Sequence, residues 1–400
     1  MKKIVCICFM VLSFSIGFAK VKPVYDKTKA IKDSEKVEFK DISAIELIND
    51  MVAGWNLGNS MDANGIRGKG SETSWGMPKT TEPMIQGLAS SGIKTIRIPI
   101  SWAGHIIDQN YTIDPAWMNR VKEIVDWAIK ADMYVIINTH HDNFASEKGL
   151  TAGRGYYPDK NNYDLSAAFF VNVWSQVATA FNNGYDEHLI FETMNEPRLR
   201  GSDVEWSYAS TNEKNTNAQA ILNKLNQDCV DAIRATKGNN LKRFIMIPGY
   251  CATPYAVLSD EFVLPKEKLA GKILVSVHMY TPYIFAGMSP GARDFTPKMQ
   301  YDYSNLFKRL NDKFIQNGIG VIIGEYGAVN KDNLDQRLAY FHSYLKQAKK
   351  YNLAACLWDN GQWKIKEGSN DYAEKFGYYN RKEQTWFFPE ILEAILEESN

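Results

Sequence analysis

Cysteine is scarce in this chain. The 400 residues carry five, and two of these, Cys6 and Cys8, fall in a leader-like stretch at the N-terminus. Cys229, Cys251 and Cys356 are left, too few for a disulfide framework and in no spacing that suits a zinc site. Charge of one sign is not in excess either. Lys plus Arg and Asp plus Glu number 46 each, where a binder of nucleic acid or anionic membrane shows a basic surplus. Pro/Ser/Thr-rich linkers, low-complexity tracts and obvious repeats are missing, so no appended binding or docking module is expected. Beyond residues 1–19 no apolar run is long enough to span a bilayer. These absences leave a neutral chain held by packing, with 45% hydrophobic residues to build a large core.

The N-terminus reads as a secretory signal. Lys2 and Lys3 precede an apolar run over 4–18, and Gly17-Phe18-Ala19 supplies small residues for cleavage after Ala19. A membrane anchor is the alternative. Secretion is therefore expected, with no membrane association once residues 1–19 are removed. Residues 20–42 are rich in Lys and Asp and read as a flexible lead-in. Residues 43–400 are expected to form one domain, of a size that suits a catalytic unit, acting as a monomer.

Short apolar runs recur at 52–57, 95–100, 134–138, 189–192, 243–247, 273–277, 321–323 and 354–358. Most lack alternation and are rich in β-branched residues, as in strands covered on both faces. Helical spacing falls between them, most clearly at 115–130, where Trp117, Val121, Ile124, Val125 and Ala128 share one face. Segments 81–91, 166–182, 218–236, 303–317 and 334–349 fill other gaps. Strands alternating with helices predict an α/β fold, a (β/α)8 TIM barrel, with a doubly wound open sheet as the alternative.

In such a barrel, chemistry gathers where strands end. Here the predicted strand ends carry Trp55, Asn56 and Asn59; Arg97, Trp102 and His105; His140-His141-Asp142; Asn195-Glu196; His278-Met279-Tyr280; Glu325-Tyr326; and Trp358-Asp359-Asn360. Polar groups inside apolar runs need partners to offset desolvation. Two acids, Glu196 and Glu325, each close a buried strand. A carboxylate pair facing across a cleft is what cleavage of a glycosidic bond requires.

The ordered stretches GWNLGNSMDA (54–63), ETSWG (72–76), RIPISW (97–102), YVIINTHHD (134–142), FETMNEPR (191–198), HMYTPYIFA (278–286), GEYGA (324–328) and LWDNG (357–361) resemble glycoside hydrolase family 5, the cellulase family. The likeness is greatest to the bacterial endoglucanases and xyloglucanases of subfamily 4. One departure is Met77, where Asn is expected.

The resemblance implies a retaining endo-β-1,4-glucanase that needs no cofactor or metal. Glu196 is then the general acid/base and Glu325 the nucleophile, with carboxyls roughly 5–5.5 Å apart. Asn195 contacts the sugar 2-hydroxyl. Arg97 sits beneath Glu325, where a cation favours the ionised carboxylate. Tyr280 donates to the nucleophile, His278 lies beside the acid/base, His140 lines the sugar floor and Trp358 stacks under the sugar. Asn56, Trp75, Trp102, His105, His141 and Asn360 are further expected glucan contacts, while Glu192 and Glu72 are expected to be structural. The partner is a β-1,4-glucan; xyloglucan, mannan and xylan are alternative substrates. Two other classes stay open from the residues alone. One is a metal-dependent hydrolase using His140, His141, Asp142, His278 and Glu325. The other is a carbohydrate-binding protein that has lost catalysis.

Overall fold

Local sequence sets the elements of this computed structural model, which describes residues 20–399 except 34, 66–67, 145–149 and 152. The expected signal at 1–19 lies outside the described residues. Helix α1 (Ala44–Met51) starts from a capping box in which Ser43 and Glu46 each bond the other's backbone amide. The capping signal stands in the sequence at 43–46. Two helices follow, α2 (Glu82–Ser90) and α3 (Pro115–Lys130). Asp114 accepts from Ala116 N and Pro115 occupies the first turn of α3, so its missing amide costs nothing. The remaining helices are α4 (Tyr163–Ala180), α5 (Glu213–Ala235), α6 (Pro254–Leu258), α7 (Tyr283–Ala286), α8 (Pro297–Lys313), α9 (Leu334–Lys350) and α10 (Pro389–Ser399).

The strands are β1 (Ala53–Asn56), β2 (Thr95–Ile98), β3 (Tyr134–Asn138), β4 (Leu189–Glu192), β5 (Ile245–Pro248), β6 (Ile273–His278), β7 (Val321–Tyr326) and β8 (Ala354–Leu357). They close a barrel in sequence order. Closure comes from β1 pairing parallel to both β2 and β8, with Gly54 opposite Thr95 and opposite Cys356. An open doubly wound sheet is thereby ruled out. A small antiparallel pair, β9 (Tyr379–Asn380) and β10 (Thr385–Trp386), follows the barrel.

Two register shifts matter for the site. Pairing slips between Val277 and His278 in β6, and between Ile323 and Tyr326 in β7. Such irregularities re-aim side chains at strand ends. After the slip His278 pairs with Glu325.

The described residues of 20–42, expected as a flexible lead-in, include Val21, Ile31 and Ile42 packed on the core. Val24 N donates to Asn172 Oδ1 (2.6 Å), Val37 N to Asn183 O (2.7 Å) and Lys40 N to Glu187 Oε2 (2.9 Å). The tethering groups are far away in sequence, so local composition does not reveal them.

Candidate active site

Arg97, wholly buried on β2, is the centre from which the site is built. Its Nε donates to Glu192 Oε2 (2.8 Å), its NH1 to Asn56 Oδ1 (2.9 Å) and Glu325 Oε1 (2.8 Å), and its NH2 to Asn195 Oδ1 (2.7 Å). Burial alone would lower its proton affinity. The Glu192 and Glu325 carboxylates outweigh burial and raise it, so the guanidinium stays charged. Glu192 is the structural counterion expected of it. Its oxygens also accept from Asn138 Nδ2 (2.9 Å) and Ser276 Oγ (2.6 Å), leaving neither open to the cleft.

The two expected catalytic acids meet around His278. Glu325 accepts Arg97 on Oε1 and the Tyr280 hydroxyl on Oε2 (2.9 Å). His278 Nδ1 is 2.9 Å from Glu196 Oε1 and 3.5 Å from Glu325 Oε2. Glycine at 324 eases the approach, because a Cβ there would stand 3.1 Å from His278 Nε2 and press on the ring. Glu196, His278 and Glu325 each bring one atom within 4.8 Å of the others. Nearest oxygens this close fit the roughly 5–5.5 Å carboxyl spacing of a retaining glycosidase.

Proton affinities in this pair are pulled apart. Burial pushes the Glu196 carboxyl up, but the hydrogen bond and charge of His278, with Arg198 and His141 behind, bring it below its ordinary value. Burial pulls His278 down, and the charges of Glu325 and Glu196 more than reverse this.

The rings of His140 and Trp358 lie parallel with centroids 5.9 Å apart. His140 is held neutral by burial, then by the charges around it. His141 meets His140 edge-on at 4.4 Å and Trp75 at 5.4 Å. Burial pulls His141 down to about 4. Trp75 is 36% exposed and His141 partly exposed, so both have surface to offer a sugar.

Four expected glucan contacts need correction, because the structure buries them among partners of their own. Asn56 Nδ2 donates to Gly324 O (2.9 Å) and to Cys356 O (3.2 Å), stitching β1 to β7 and β8. Trp102 is in the core and donates its indole N–H to Asn138 O (2.8 Å). His105 stacks on Trp117 at 3.7 Å and contacts Ser71 Oγ. Asn360 is buried and donates to the backbone and carboxylate of Glu374. A polar residue at a strand end serves sugar or scaffold equally well by type, so sequence could not separate the two.

Other residues have a place that sequence reasoning passed over. Asn138 and Ser276 fix Glu192, and the lone hydroxyl inside the apolar run of β6 was the available signal. Arg198 donates to Glu196 O (2.8 Å), pairs with Glu205 (3.2 Å) and lies 3.7 Å over Trp206, whose ring is 64% exposed. Met77, the departure noted above, packs against the left-handed Gly361, where a Cβ would stand 2.3 Å from its sulfur. Glu72 fixes a loop, as expected, by binding Arg120 through both oxygens and accepting from Thr80 N.

Asp62, His140 and His141 also bring ligand atoms within 4.8 Å of one another, but their chemistry does not fit a metal. The Asn138 amide is oriented by accepting from Ile100 N and donating to Glu192. Its Nδ2 therefore donates to His140 Nδ1 (3.2 Å), and the His140 proton sits on Nε2. Neither nitrogen keeps a free lone pair.

Comparison with known proteins agrees with this geometry. The model of the cellulase family, glycosyl hydrolase family 5, matches residues 60–364. Endoglucanase B of Ruminococcus albus is 42% identical over 355 residues, 88% of this chain and 80% of that protein. Among solved structures, a family 5 lichenase variant from a Caldicellulosiruptor species, in complex with cellotetraose, superposes with a TM-score of 0.83. It is 38% identical, over 92% of this chain and 98% of that one. A broad-specificity endoglucanase of subfamily 4 from Ruminococcus champanellensis, with bound cellotriose, gives 0.81 at 38% identity over 90% and 100%. The chain therefore belongs to glycosyl hydrolase family 5, the cellulases, within subfamily 4.

Proposed function

We propose that this enzyme is an endo-β-1,4-glucanase that cleaves internal bonds of glucans by double displacement. The observation that carries the reading is the carboxylate pair within 4.8 Å around His278. Glu325, immobilised by Arg97 and Tyr280, attacks the anomeric carbon. Glu196 protonates the leaving oxygen. A glycosyl–Glu325 ester forms and the leaving chain departs. Water then enters, Glu196 takes its proton, and the ester is cleaved. The proton for the first step is shared between His278 Nδ1 and Glu196 Oε1, 2.9 Å apart. Substrate expels water from the cleft, which disfavours the ion pair and moves the proton to Glu196. Asn195 presents its amide to the 2-hydroxyl while Arg97 holds its oxygen. His140 and Trp358 form the floor, and Trp75 and His141 extend it.

Unbranched and mixed-linkage β-1,4-glucans are the favoured substrates, supported by the lichenase and broad-specificity endoglucanase among the neighbours. Xyloglucan is the first alternative, before mannan and xylan. The reading includes export, on the pattern of residues 1–19, and a monomeric enzyme, which sedimentation checks. No described helix is long and apolar enough to cross a membrane. Hydrolysis of a panel comprising carboxymethyl-cellulose, barley glucan, xyloglucan, mannan and xylan, with Glu325→Gln beside wild type, tests the assignment. Cleavage confined to mannan or xylan overturns the substrate, and equal activity of the variant overturns the mechanism.

A further inference from the structure

The loop after β8 holds a third carboxylate at the cleft. Glu374 has a left-handed backbone, with φ at 58°, a conformation that glycine adopts freely and glutamate does not. Such strain persists only where the surroundings impose it. Asn360 imposes it here. Its Nδ2 donates to Glu374 O (2.9 Å) and to Glu374 Oε2 (3.1 Å). Its own orientation is fixed because Oδ1 accepts from Gln362 N (3.0 Å). The neighbouring residues pin the loop on both sides. Lys375 O accepts from Asn330 N (2.8 Å), and Phe376 packs on Tyr280 with ring centroids 5.4 Å apart.

The result is an exposed side chain with one oxygen tied down. Its Oε1 accepts no hydrogen bond from any described residue. Although the residue as a whole is exposed, the packed atoms around its carboxyl desolvate it and raise its proton affinity, and the charges of Glu325 and Glu196 add to the effect. A third anion within reach of two catalytic acids is repelled by both. Among the described residues, Asn360 Nδ2 is the one hydrogen-bond donor that the fold supplies to this carboxylate. Donors brought by a ligand would offset the cost.

We propose that Glu374 is a substrate-contact residue: its free oxygen accepts a hydrogen bond from a hydroxyl of the glucosyl unit on the glycone side of the scissile bond. The side follows from the loop's supports. Asn360 lies two residues beyond Trp358, and Phe376 backs Tyr280, which donates to Glu325. These supports lie on the side of the site that holds Glu325, which on the double-displacement reading receives the sugar whose anomeric carbon is attacked. The proposal rests on the double-displacement reading above.

Three variants separate the possibilities, each assayed for kcat and KM on cellotetraose and for thermal unfolding. Glu374→Gly removes the carboxylate and relieves the backbone. It is expected to melt at or above the wild-type temperature while kcat/KM falls about 10- to 100-fold. Glu374→Gln keeps an oxygen for Asn360 but puts an amide where the acceptor was, and is expected to lose about tenfold. Glu325→Gln reports on the underlying mechanism. If it stays active, the double-displacement reading fails, whatever Glu374 does. The Glu374 proposal is overturned if both of its variants stay within about twofold of wild type. It is equally overturned if Glu374→Gly loses activity together with stability while Glu374→Gln matches wild type in both.

Discussion

Glu325 and Glu196 face each other across one cleft and are held in opposite ways. Each oxygen of Glu325 receives a donor, Arg97 on one and Tyr280 on the other, and the side chain is 7% exposed. Glu196 is hydrogen-bonded by His278 on one oxygen, with Arg198 NH1 3.8 Å from the other, and its side chain is 18% exposed. A nucleophile must stay ionised and still; an acid/base must gain and lose a proton and meet water. The difference in support matches the difference in task. A third acid, Glu192, completes the series. With donors from Arg97, Asn138 and Ser276 and no exposure, it has no capacity left for substrate.

The largest test of this asymmetry is removal of each acid in turn. Glu325→Gln should cost at least ~10³-fold in kcat on any substrate. Glu196→Gln should be as damaging on glucan. On an aryl cellobioside whose phenolate leaves unaided, it should still form the glycosyl-enzyme, and added azide should restore turnover. Steady-state rates with and without azide check this. Recovery in the Glu325 variant instead would reverse the two roles.

Arg97→Lys comes next. Lysine keeps the charge but loses the planar fork that reaches Glu192, Glu325, Asn56 and Asn195 together. Leaving one of two buried carboxylates poorly paired should cost about 3 kcal/mol of stability, readable by chemical denaturation, along with most activity. Tyr280→Phe removes only one of the two donors to Glu325, and a drop of about 10- to 100-fold in kcat is expected.

The smallest effect concerns pH and a residue outside the pair. Burial raises the Asp142 carboxyl to about 7 from 3.8, with the amides of Ala103 and Trp102 opposing the rise. The folded state therefore holds a proton that the unfolded chain has released. The associated stability is fully present below pH 3.8 and is lost as pH climbs through about 7. Asp142→Asn should flatten the fall in melting temperature between pH 4 and pH 8. An unchanged profile would locate the pH response elsewhere.

How far the sequence discloses this site depends on the kind of residue. The barrel strands and α3 were legible because apolar period and capping are local signals: 115–130 coincides with the helix observed. Glu196 and Glu325 stood out as acids closing apolar runs, while Arg97, Asn195, His278 and Tyr280 came with the family resemblance; the structure brings these side chains together. Sugar-facing and scaffold residues were not separable. Asn56, Trp102, His105 and Asn360 are spent on internal partners, and only tertiary placement shows it. The tethering of residues 20–42 and the strained turn at Glu374 depend on groups far along the chain, such as Asn172, or on backbone angles that composition does not encode.

The most direct test of the central claim is to trap the intermediate. Incubation with a 2-deoxy-2-fluoro cellobioside carrying a dinitrophenolate leaving group, followed by mass spectrometry of the digested protein, locates the covalent bond. The account predicts one glycosyl unit on the peptide that contains Glu325, with Glu196 unmodified. An adduct on Glu196, or none while the substrate is turned over, would contradict it.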